Sequence, residues 1–358
     1  MDAHIAQSSS RPLYILGPCS VENSTQMLDT ARGLKQHVPY PFLLRGGLWK
    51  PRTRPGAFEG LGQEGIHYLT EAAKDIGADP ITEVARASHV EACLQADFRH
   101  LWIGARTTVN PFLIDELAEA LQGTDITLFV KNPVNRDIGL WLGAIERLER
   151  AGLTTIYAIH RGFSAIDNPA YRNPPYWQLS LEFQRQRPDI PMIGDPSHMG
   201  GRRDLLDELS QQMGQLGYQG LMIESHIDPD QALTDAAQQV TPRRLASILQ
   251  DVQWSELHAK EGYSDDYINN QRHTIDGLDK EILRLIQERM NIAHDIGVYK
   301  QKENLAIYQP ERWENTLNLA LERGHQLGLS KAFIMELFQS LHAESIEHQF
   351  IKKRNNEH

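Results

Sequence analysis

Short apolar runs separated by helix-like stretches make up the first 255 residues of the chain. Eight such runs occur, at 13–16, 42–45, 80–84, 101–104, 127–131, 155–160, 191–195 and 220–224. The intervening stretches carry apolar residues at helical spacing, as at 25–36, 63–76, 111–121 and 140–151. Eight alternations of strand and helix within about 250 residues predict an α/β fold of the (β/α)8 barrel type. An open, doubly wound sheet is the alternative.

Polar side chains lie at the ends of these predicted strands. They are Cys19, Arg45, Glu83, Arg106, Lys131, His160, Arg161, Asp195, His198, Glu224 and His226. Barrel enzymes carry their chemistry at the carboxyl ends of the strands. A single charge there is usually structural or solvated, but eight strands that all deliver such groups to one rim favour a closed barrel with an active site.

The pattern changes after Trp254, where a polar stretch at 256–267 predicts a linker between a barrel at 1–255 and a helical domain at 268–358. One apolar stripe then recurs at spacings of three and four, through Ile275, Leu278, Ile282, Leu285, Ile292, Ile296 and Tyr299. It runs for roughly 35 residues, or about 50 Å. A helix of this length extends beyond the diameter of a small domain, so it predicts a dimer seam. A second helix is predicted near 311–327, and a third begins after Ser330 as its N-cap.

The composition narrows the class of protein. The 358 residues include 36 Lys and Arg against 47 Asp and Glu, for a net charge of -11. This acidic balance argues against binding to nucleic acid or to an anionic membrane. Cys19 and Cys93 are too few for a disulfide framework. No signal peptide and no apolar run of about 20 residues is evident, so we expect a cytoplasmic protein.

Four side chains after the first, seventh and eighth predicted strands suggest a metal site: Cys19, His198, Glu224 and Asp235. A thiolate, an imidazole and two carboxylates suit a divalent transition ion such as Mn, Fe, Co or Zn, rather than a structural zinc. The alternative for Cys19 alone is a buried small hydrophobe.

A second set of candidates is cationic and follows the strand ends: Arg45, Lys50, Arg52, Arg106, Lys131 and Arg161. Converging cations in an acidic protein imply a strongly anionic substrate, and the guanidinium fork suits phosphate. Solvation at the surface could explain any one of these charges but not the group. The set is large enough for two phosphorylated ligands.

Seven short motifs occur in order along this region. They are GPCS at 17–20, KPRT at 50–53, GAR at 104–106, KNP at 131–133, DPSH at 195–198, ESH at 224–226 and D-x-x-Q at 235–238. Over roughly residues 10–250 this set resembles the smaller class of 3-deoxy-D-arabino-heptulosonate 7-phosphate (DAHP) synthases. Members of that family are metal-dependent barrels that condense phosphoenolpyruvate with erythrose 4-phosphate, the first step toward chorismate.

The resemblance implies that Cys19, His198, Glu224 and Asp235 bind the metal, which would act as a Lewis acid or orient water. It implies a phosphoenolpyruvate site of Arg45, Lys50, Arg106, Lys131 and Arg161, and an erythrose 4-phosphate site of Arg52 and Thr53. Lys50 would also be a proton donor near the new hydroxyl. Thr107 is a departure, because the family often has Asn directly after GAR. The related synthase for arabinose 5-phosphate shares the chemistry, but its members do not typically carry KPRT.

Arg289 interrupts the apolar stripe of the first long helix, between Leu285 and Ile292. A buried Arg without an anion is costly, so either an internal salt bridge or a pocket for a carboxylate ligand is expected there. Lys300, 11 residues further on, projects near the same face. Ser345 and Gln349 place polar groups on an apolar stripe of the third helix.

The helical region resembles the all-helical chorismate mutase family over about 90 residues. The segments that carry the resemblance are QRHTIDGLDKEILRLIQER, Lys300, PERWE and LFQSLHAESIEHQ. It implies a chorismate and prephenate pocket lined by Arg272, Arg289, Lys300, Arg312, Ser345 and Gln349, with Arg289 and Lys300 catalytic. It also implies an intertwined homodimer in which the first-helix Arg enters the partner's site.

Two departures from the mutase pattern stand close together. Gln309 is found where an acidic residue often lies, and Trp313 where a Glu commonly contacts the substrate hydroxyl. We therefore hold two hypotheses: a bifunctional synthase and mutase, or a synthase whose helical domain only dimerises and senses a ligand. A barrel synthase for another aldose phosphate with an unrelated helical scaffold is a further alternative. In the first two cases prephenate, or chorismate, is the expected effector of the synthase.

Overall fold

The structure is a computed structural model, and it describes residues 12–50, 56, 58–165, 170–255 and 266–350. The chain divides into two compact units, Met1–Ala259 and Lys260–His358. Most of the predicted linker, at 256–265, lies outside the described residues. Within the described ranges no helix is both long enough and apolar enough to cross a membrane.

Eight parallel strands close into a barrel in chain order. They are β1 Leu13–Gly17, β2 Phe42–Arg45, β3 Pro80–Val84, β4 His100–Ile103, β5 Thr127–Lys131, β6 Ile156–His160, β7 Met192–Gly194 and β8 Gly220–Glu224. The first strand pairs with the last in the register Leu13↔Gly220 to Gly17↔Glu224, which leaves no free edge. The predicted barrel is confirmed, and the open sheet is excluded.

The strand bounds lie within one residue of the prediction, and β7 is shorter than predicted at both ends. This strand stops at Gly194 because Asp195 caps the helix that follows, where its side chain accepts from the His198 N–H. Pro191, predicted to begin the strand, has no N–H to donate to a neighbouring strand.

Helices alternate with the strands and pack around them. They are α1 Ser24–His37, α2 Gln63–Ile76, α3 Ala87–Gln95, α4 Ala105–Thr108, α5 Pro111–Leu121, α6 Ile138–Arg150, α7 Trp177–Gln186, α8 Pro196–Gly200, α9 Leu206–Gln215 and α10 Pro242–Asp251. One apolar core lies between strands and helices and a second fills the barrel interior, where Trp102 and Phe129 are fully buried. The filled interior leaves the carboxyl-end rim as the place for a site.

Residues 266–350 of the second unit form three helices, which are α11 Asp266–Lys302, α12 Pro310–Gln326 and α13 Lys331–Gln349. Ser330 caps α13 as predicted, accepting from the Phe333 N–H at 3.2 Å. Helices α11 and α13 approach closely at Gly297, where a Cβ atom would lie 2.7 Å from the Gln349 Cα. Glycine at this position therefore permits the contact.

The apolar stripe predicted along α11 is uncovered in the single chain. Its members, Ile275, Leu278, Ile282, Leu285, Ile292, Ile296 and Tyr299, are 46% to 61% exposed. Different residues of α11, Met290 and Ala293, are buried. The stripe therefore needs another surface to cover it, as expected of a dimer seam.

Candidate active sites and family

Three of the four predicted metal ligands come together at the rim of the barrel. Cys19 follows β1, Glu224 ends β8, and Asp235 lies in the loop beyond it. One potential ligand atom from each lies within 4.8 Å of the other two, and Cys19 Sγ is 3.4 Å from Asp235 Oδ2. Metal–ligand bonds of about 2.0–2.3 Å separate ligand atoms by roughly 3–4 Å, so these residues fit one divalent ion.

His198, the fourth predicted ligand, reaches the same cluster from α8. Its Nε2 is 3.6 Å from Glu224 Oε1, and its Nδ1 is 2.8 Å from Asp195 Oδ2. Burial lowers the pKa of His198, which favours the neutral imidazole that metals bind. A carboxylate on one ring nitrogen, with the other nitrogen left for the metal, is the usual arrangement of a metal-binding histidine.

The Cys19 thiol is fully buried, and burial together with the nearby Glu224 raises its pKa to about 12. Lys50 Nζ lies 3.1 Å from Cys19 Sγ. Burial opposes the charge of Lys50, but Cys19 and Glu224 outweigh it, so the Lys50 pKa is raised and the ammonium is kept. A divalent ion that binds here must displace the thiol proton, because the thiolate is the ligand.

Two cations flank the indole of Trp102 inside the rim. Arg45 Cζ lies 5.0 Å and Lys131 Nζ 5.8 Å from the ring centroid. Arg45 donates to Glu224 Oε1 at 2.9 Å, and Lys131 donates to Asp195 Oδ2 at 2.9 Å. Both ion pairs are buried, and both carboxylates belong to the candidate metal site: Glu224 is one of the clustered ligands, and Asp195 contacts His198.

Arg161 lies near Asp195, the partner of Lys131, and the site contains buried hydrogen-bond donors from which an anion could accept. In the part of the chain that the structure describes, Arg45 Nη1 and Arg161 Nη1 are buried without a hydrogen-bond partner. Burial lowers the pKa of Arg161 to about 10, and the positive charges of Arg172 and Arg106 act in the same direction. The negative charge of Asp195 opposes this shift. Unpaired buried donors on a cation are costly, and an anion that accepts from them removes the cost.

Two of the remaining predicted barrel residues, Lys50 and Arg106, lie in the described part of the chain. Lys50 is half-buried and Arg106 is exposed at the start of α4. Arg52 and Thr53, predicted to bind the aldose phosphate, lie outside the described residues.

A second candidate site lies between α11 and α13. Arg289 Nη1 donates to the Leu341 carbonyl at 3.1 Å and to Ser345 Oγ. Within residues 266–350, no carboxylate lies within ion-pair distance of Arg289, so the predicted internal salt bridge is not formed there. Gln349 Nε2 donates to the Ser345 carbonyl at 3.3 Å. The structure thus groups three of the six predicted pocket residues.

The other three predicted pocket residues are arranged differently. Lys300 is buried, and its Nζ donates to the Ile307 carbonyl at 2.6 Å. Arg312 is exposed on α12, and Arg272 is exposed on α11, about 25 Å along the helix from Arg289. Within one chain, therefore, Arg272 does not reach the group around Arg289.

Comparison with known proteins then gives the family of the barrel. Residues 3–258 match the family model described as the DAHP synthetase I family. The chain belongs to this family. A phospho-2-dehydro-3-deoxyheptonate aldolase of Thermotoga maritima is 32% identical over 240 residues, 66% of this chain and 68% of the relative. A 2-dehydro-3-deoxyphosphooctonate aldolase of Paraburkholderia xenovorans is 26% identical over 273 residues, 67% of this chain and 89% of the relative.

A solved structure and a second family model complete the comparison. The crystal structure of the Thermotoga maritima DAHP synthase superposes with a TM-score of 0.61 at 30% identity, covering 68% of this chain and 72% of that one. Residues 271–350 match the family model described as chorismate mutase type II. Both resemblances are confirmed: a DAHP synthase domain is followed by a chorismate mutase domain, consistent with a synthase and an isomerase.

Two features of the DAHP synthase site were missed in the sequence. Arg172, in the loop after β6, lies 3.1 Å from Asp235 Oδ1 and donates to Gln238 Oε1 at 2.7 Å. No periodic pattern or strand end marks this loop. The glycine of GAR is the other: a Cβ on Gly104 would lie 2.2 Å from Glu83 Oε1. Glycine therefore lets the Glu83 carboxylate lie against the chain at this point.

Proposed function

We propose that the barrel condenses phosphoenolpyruvate with erythrose 4-phosphate to DAHP and phosphate. The observation that carries this proposal is the three-residue ligand cluster, with His198 next to it, beside buried guanidinium nitrogens that lack an acceptor among the described residues. The test is phosphoenolpyruvate consumption with erythrose 4-phosphate, measured with and without a chelator. Arabinose 5-phosphate is the control substrate, since relatives named 2-dehydro-3-deoxyphosphooctonate aldolase are 25–26% identical.

In the proposed reaction the cations hold phosphoenolpyruvate while its C3 attacks the aldehyde carbon. Arg45, Lys131 and Arg161 neutralise its carboxylate and phosphate, and Arg106 adds charge at the rim. Lys50 donates a proton to the aldehyde oxygen, which becomes the new hydroxyl. Water adds at C2, and phosphate then leaves as the C2 carbonyl forms. Arg52 and Thr53 are proposed to bind the aldose phosphate.

The proposed metal ligands are Cys19, His198, Glu224 and Asp235, and the ion is one of Mn, Fe, Co or Zn. When bound, a divalent ion polarises the aldehyde oxygen of the aldose phosphate or orients the water. The mixed donor set, with one thiolate and two carboxylates, suits several of these ions. A ligand thiol must also stay reduced, which supports the proposed cytosolic location.

Arg161→Leu should raise the KM for phosphoenolpyruvate about a hundredfold. The reason is that the variant loses a buried charge-assisted contact of roughly 2–3 kcal/mol. The melting temperature should not fall, because the replaced guanidinium has an unpartnered nitrogen. Steady-state kinetics and thermal unfolding measure the two effects. The matched control is Arg185→Leu, whose Arg is exposed and paired with Glu182; an equal KM rise in both variants contradicts the assignment.

We propose that the helical domain, at 268–358 after a linker at 256–267, rearranges chorismate to prephenate. The supporting observation is that Arg289, half-buried between α11 and α13, has no carboxylate within ion-pair distance in that part of the chain. Cations of Arg289 and Lys300 would clamp the dicarboxylate in its folded conformer and stabilise charge on the breaking ether oxygen. Ser345, Gln349 and Arg312 would complete the polar lining.

Two observations on α11 support the homodimer that we propose through the helical domain. Its apolar stripe is uncovered, and a second copy of the same stripe is the occupant we propose for it. Arg272 lies about 25 Å from Arg289 on the same helix, so an intertwined arrangement would bring the partner's arginine to the pocket. The alternative remains a helical domain that dimerises and senses ligand without turnover, which Trp313 in place of a glutamate favours.

Prephenate should inhibit the synthase by binding the helical pocket, with chorismate as the alternative effector. A ligand shifts an equilibrium between two arrangements of the domains when it binds one arrangement better. A coupling of about 1–3 kcal/mol would change the synthase rate or affinity by about 5–150-fold. Synthase assays with added prephenate, together with solution scattering, measure the effect. Undiminished inhibition in Arg289→Ala would contradict this mechanism.

A further inference from the structure

His342 on α13 has an unused hydrogen-bonding atom. Its Nε2 is buried and has no partner among residues 266–350. The ring is held by aromatic contacts: it stacks on Trp313 at 4.1 Å with an interplanar angle of 15°, and the Tyr308 ring lies 6.0 Å away. Stacking fixes the plane of the imidazole without using that nitrogen.

The position of His342 places it with the group around Arg289. The preceding residue, Leu341, gives its carbonyl to Arg289, and Ser345, one turn later on α13, gives its hydroxyl to the same guanidinium. One turn beyond, Gln349 Oε1 is also buried without a partner in the described helices. Two orphaned polar atoms thus lie on either side of one contact between Arg289 and Ser345.

The chemistry of the imidazole indicates the kind of ligand atom it would meet. Burial and the nearby Arg289 lower the pKa of His342, so the ring is neutral. A neutral ring nitrogen can donate to or accept from a hydroxyl. The carboxylates of a ligand are better matched by Arg289 and Lys300, which carry charge. The neutral imidazole of His342 is therefore expected to hydrogen-bond an uncharged oxygen of the ligand.

We propose that His342 is a ligand-binding residue of the helical pocket, whose Nε2 hydrogen-bonds a hydroxyl of a bound carboxylic acid, with Trp313 fixing the ring. This inference rests on the proposed mutase or sensor pocket and adds a specificity-determining residue to it. Trp313 then supports the polar contact, since its ring holds the imidazole in place.

Two variants separate the hydrogen bond from the stacking. His342→Phe keeps an aromatic ring against Trp313 but removes the nitrogen, whereas His342→Gln places an amide near the position of Nε2. Prephenate titration by calorimetry on the full chain should give a Kd about tenfold weaker for the Phe variant. The Gln variant should bind within about threefold of the wild type, and both should keep the wild-type melting temperature. His325→Phe, at an exposed site on α12, is the matched control.

These experiments test the role of His342 separately from the existence of the pocket. Wild-type affinity in His342→Phe overturns it, and so does a Gln variant as weak as the Phe variant, because the ring shape would then matter instead of the nitrogen. If the wild type binds prephenate and Arg289→Ala does not, the pocket stands whatever His342 does. If the wild type binds neither prephenate nor chorismate, the pocket fails and the inference fails with it.

Discussion

Cys19→Ser should reduce synthase activity by at least about a hundredfold at a metal concentration that saturates the wild type. The serine hydroxyl keeps its proton at neutral pH, so the variant lacks the soft anionic ligand, and losses of this size are typical even for residues that only support metal ligands. Metal content measured after gel filtration, and rates after chelation and re-addition of Mn, Fe, Co or Zn, test both parts of the expectation.

The chain contains its own control for this substitution. Cys93 on α3 is equally buried, and burial alone raises its pKa to about 12, but it lies outside the metal cluster. Cys93→Ser should therefore lose stability without losing metal. Full wild-type activity after exhaustive chelation would overturn the metal-dependent mechanism altogether.

Arg289→Ala should reduce mutase kcat/KM by about a hundredfold to a thousandfold, while the synthase and the melting temperature stay unchanged. The loss is that expected when one preorganised charge is removed from the transition state. The fold should tolerate the change, because Arg289 has no ionic partner in the described helices and an uncompensated half-buried cation is a cost in the empty pocket. Loss of chorismate absorbance, followed beside thermal unfolding, measures the two effects.

Arg284→Ala is the matched control on the same helix. Arg284 is exposed and pairs with Glu281 and Glu288, and surface pairs of this kind contribute little. Normal isomerisation of chorismate by Arg289→Ala would show that the pocket assignment is wrong.

The barrel could be predicted because its strands are continuous apolar runs that end in polar residues. Shorter elements could not be placed in this way. Helix α8, Pro196–Gly200, has five residues, too few to show a 3.6-residue period, and it is recognisable only from the capping Asp195. Strand β7 is short for the related reason that the same Asp195 leaves the strand to cap the helix.

The candidate site could be predicted where side chains follow strand ends, since parallel strands bring those ends to one rim. The role of Arg172 was not predicted, because it lies in a loop and no strand end determines where a loop residue is placed. In the structure it pairs with Asp235. The stack of Trp313 on His342 joins two helices and depends on how they pack, which helical spacing within either one does not specify. The uncovered face of α11 was predictable as a stripe, but the spacing of its apolar residues does not specify which surface covers it.

The pairing of β1 with β8 also determines when the proposed metal centre can form during synthesis of the chain. Cys19 is synthesised about 200 residues before Glu224 and Asp235, a delay of roughly 10–40 s at ribosomal speed. Until β8 emerges, the thiol has no carboxylates opposite it, so an unfinished barrel cannot assemble the proposed centre. An ion bound across this seam would in turn stabilise the closed barrel by mass action. Metal occupancy would then mark the chains that have finished folding.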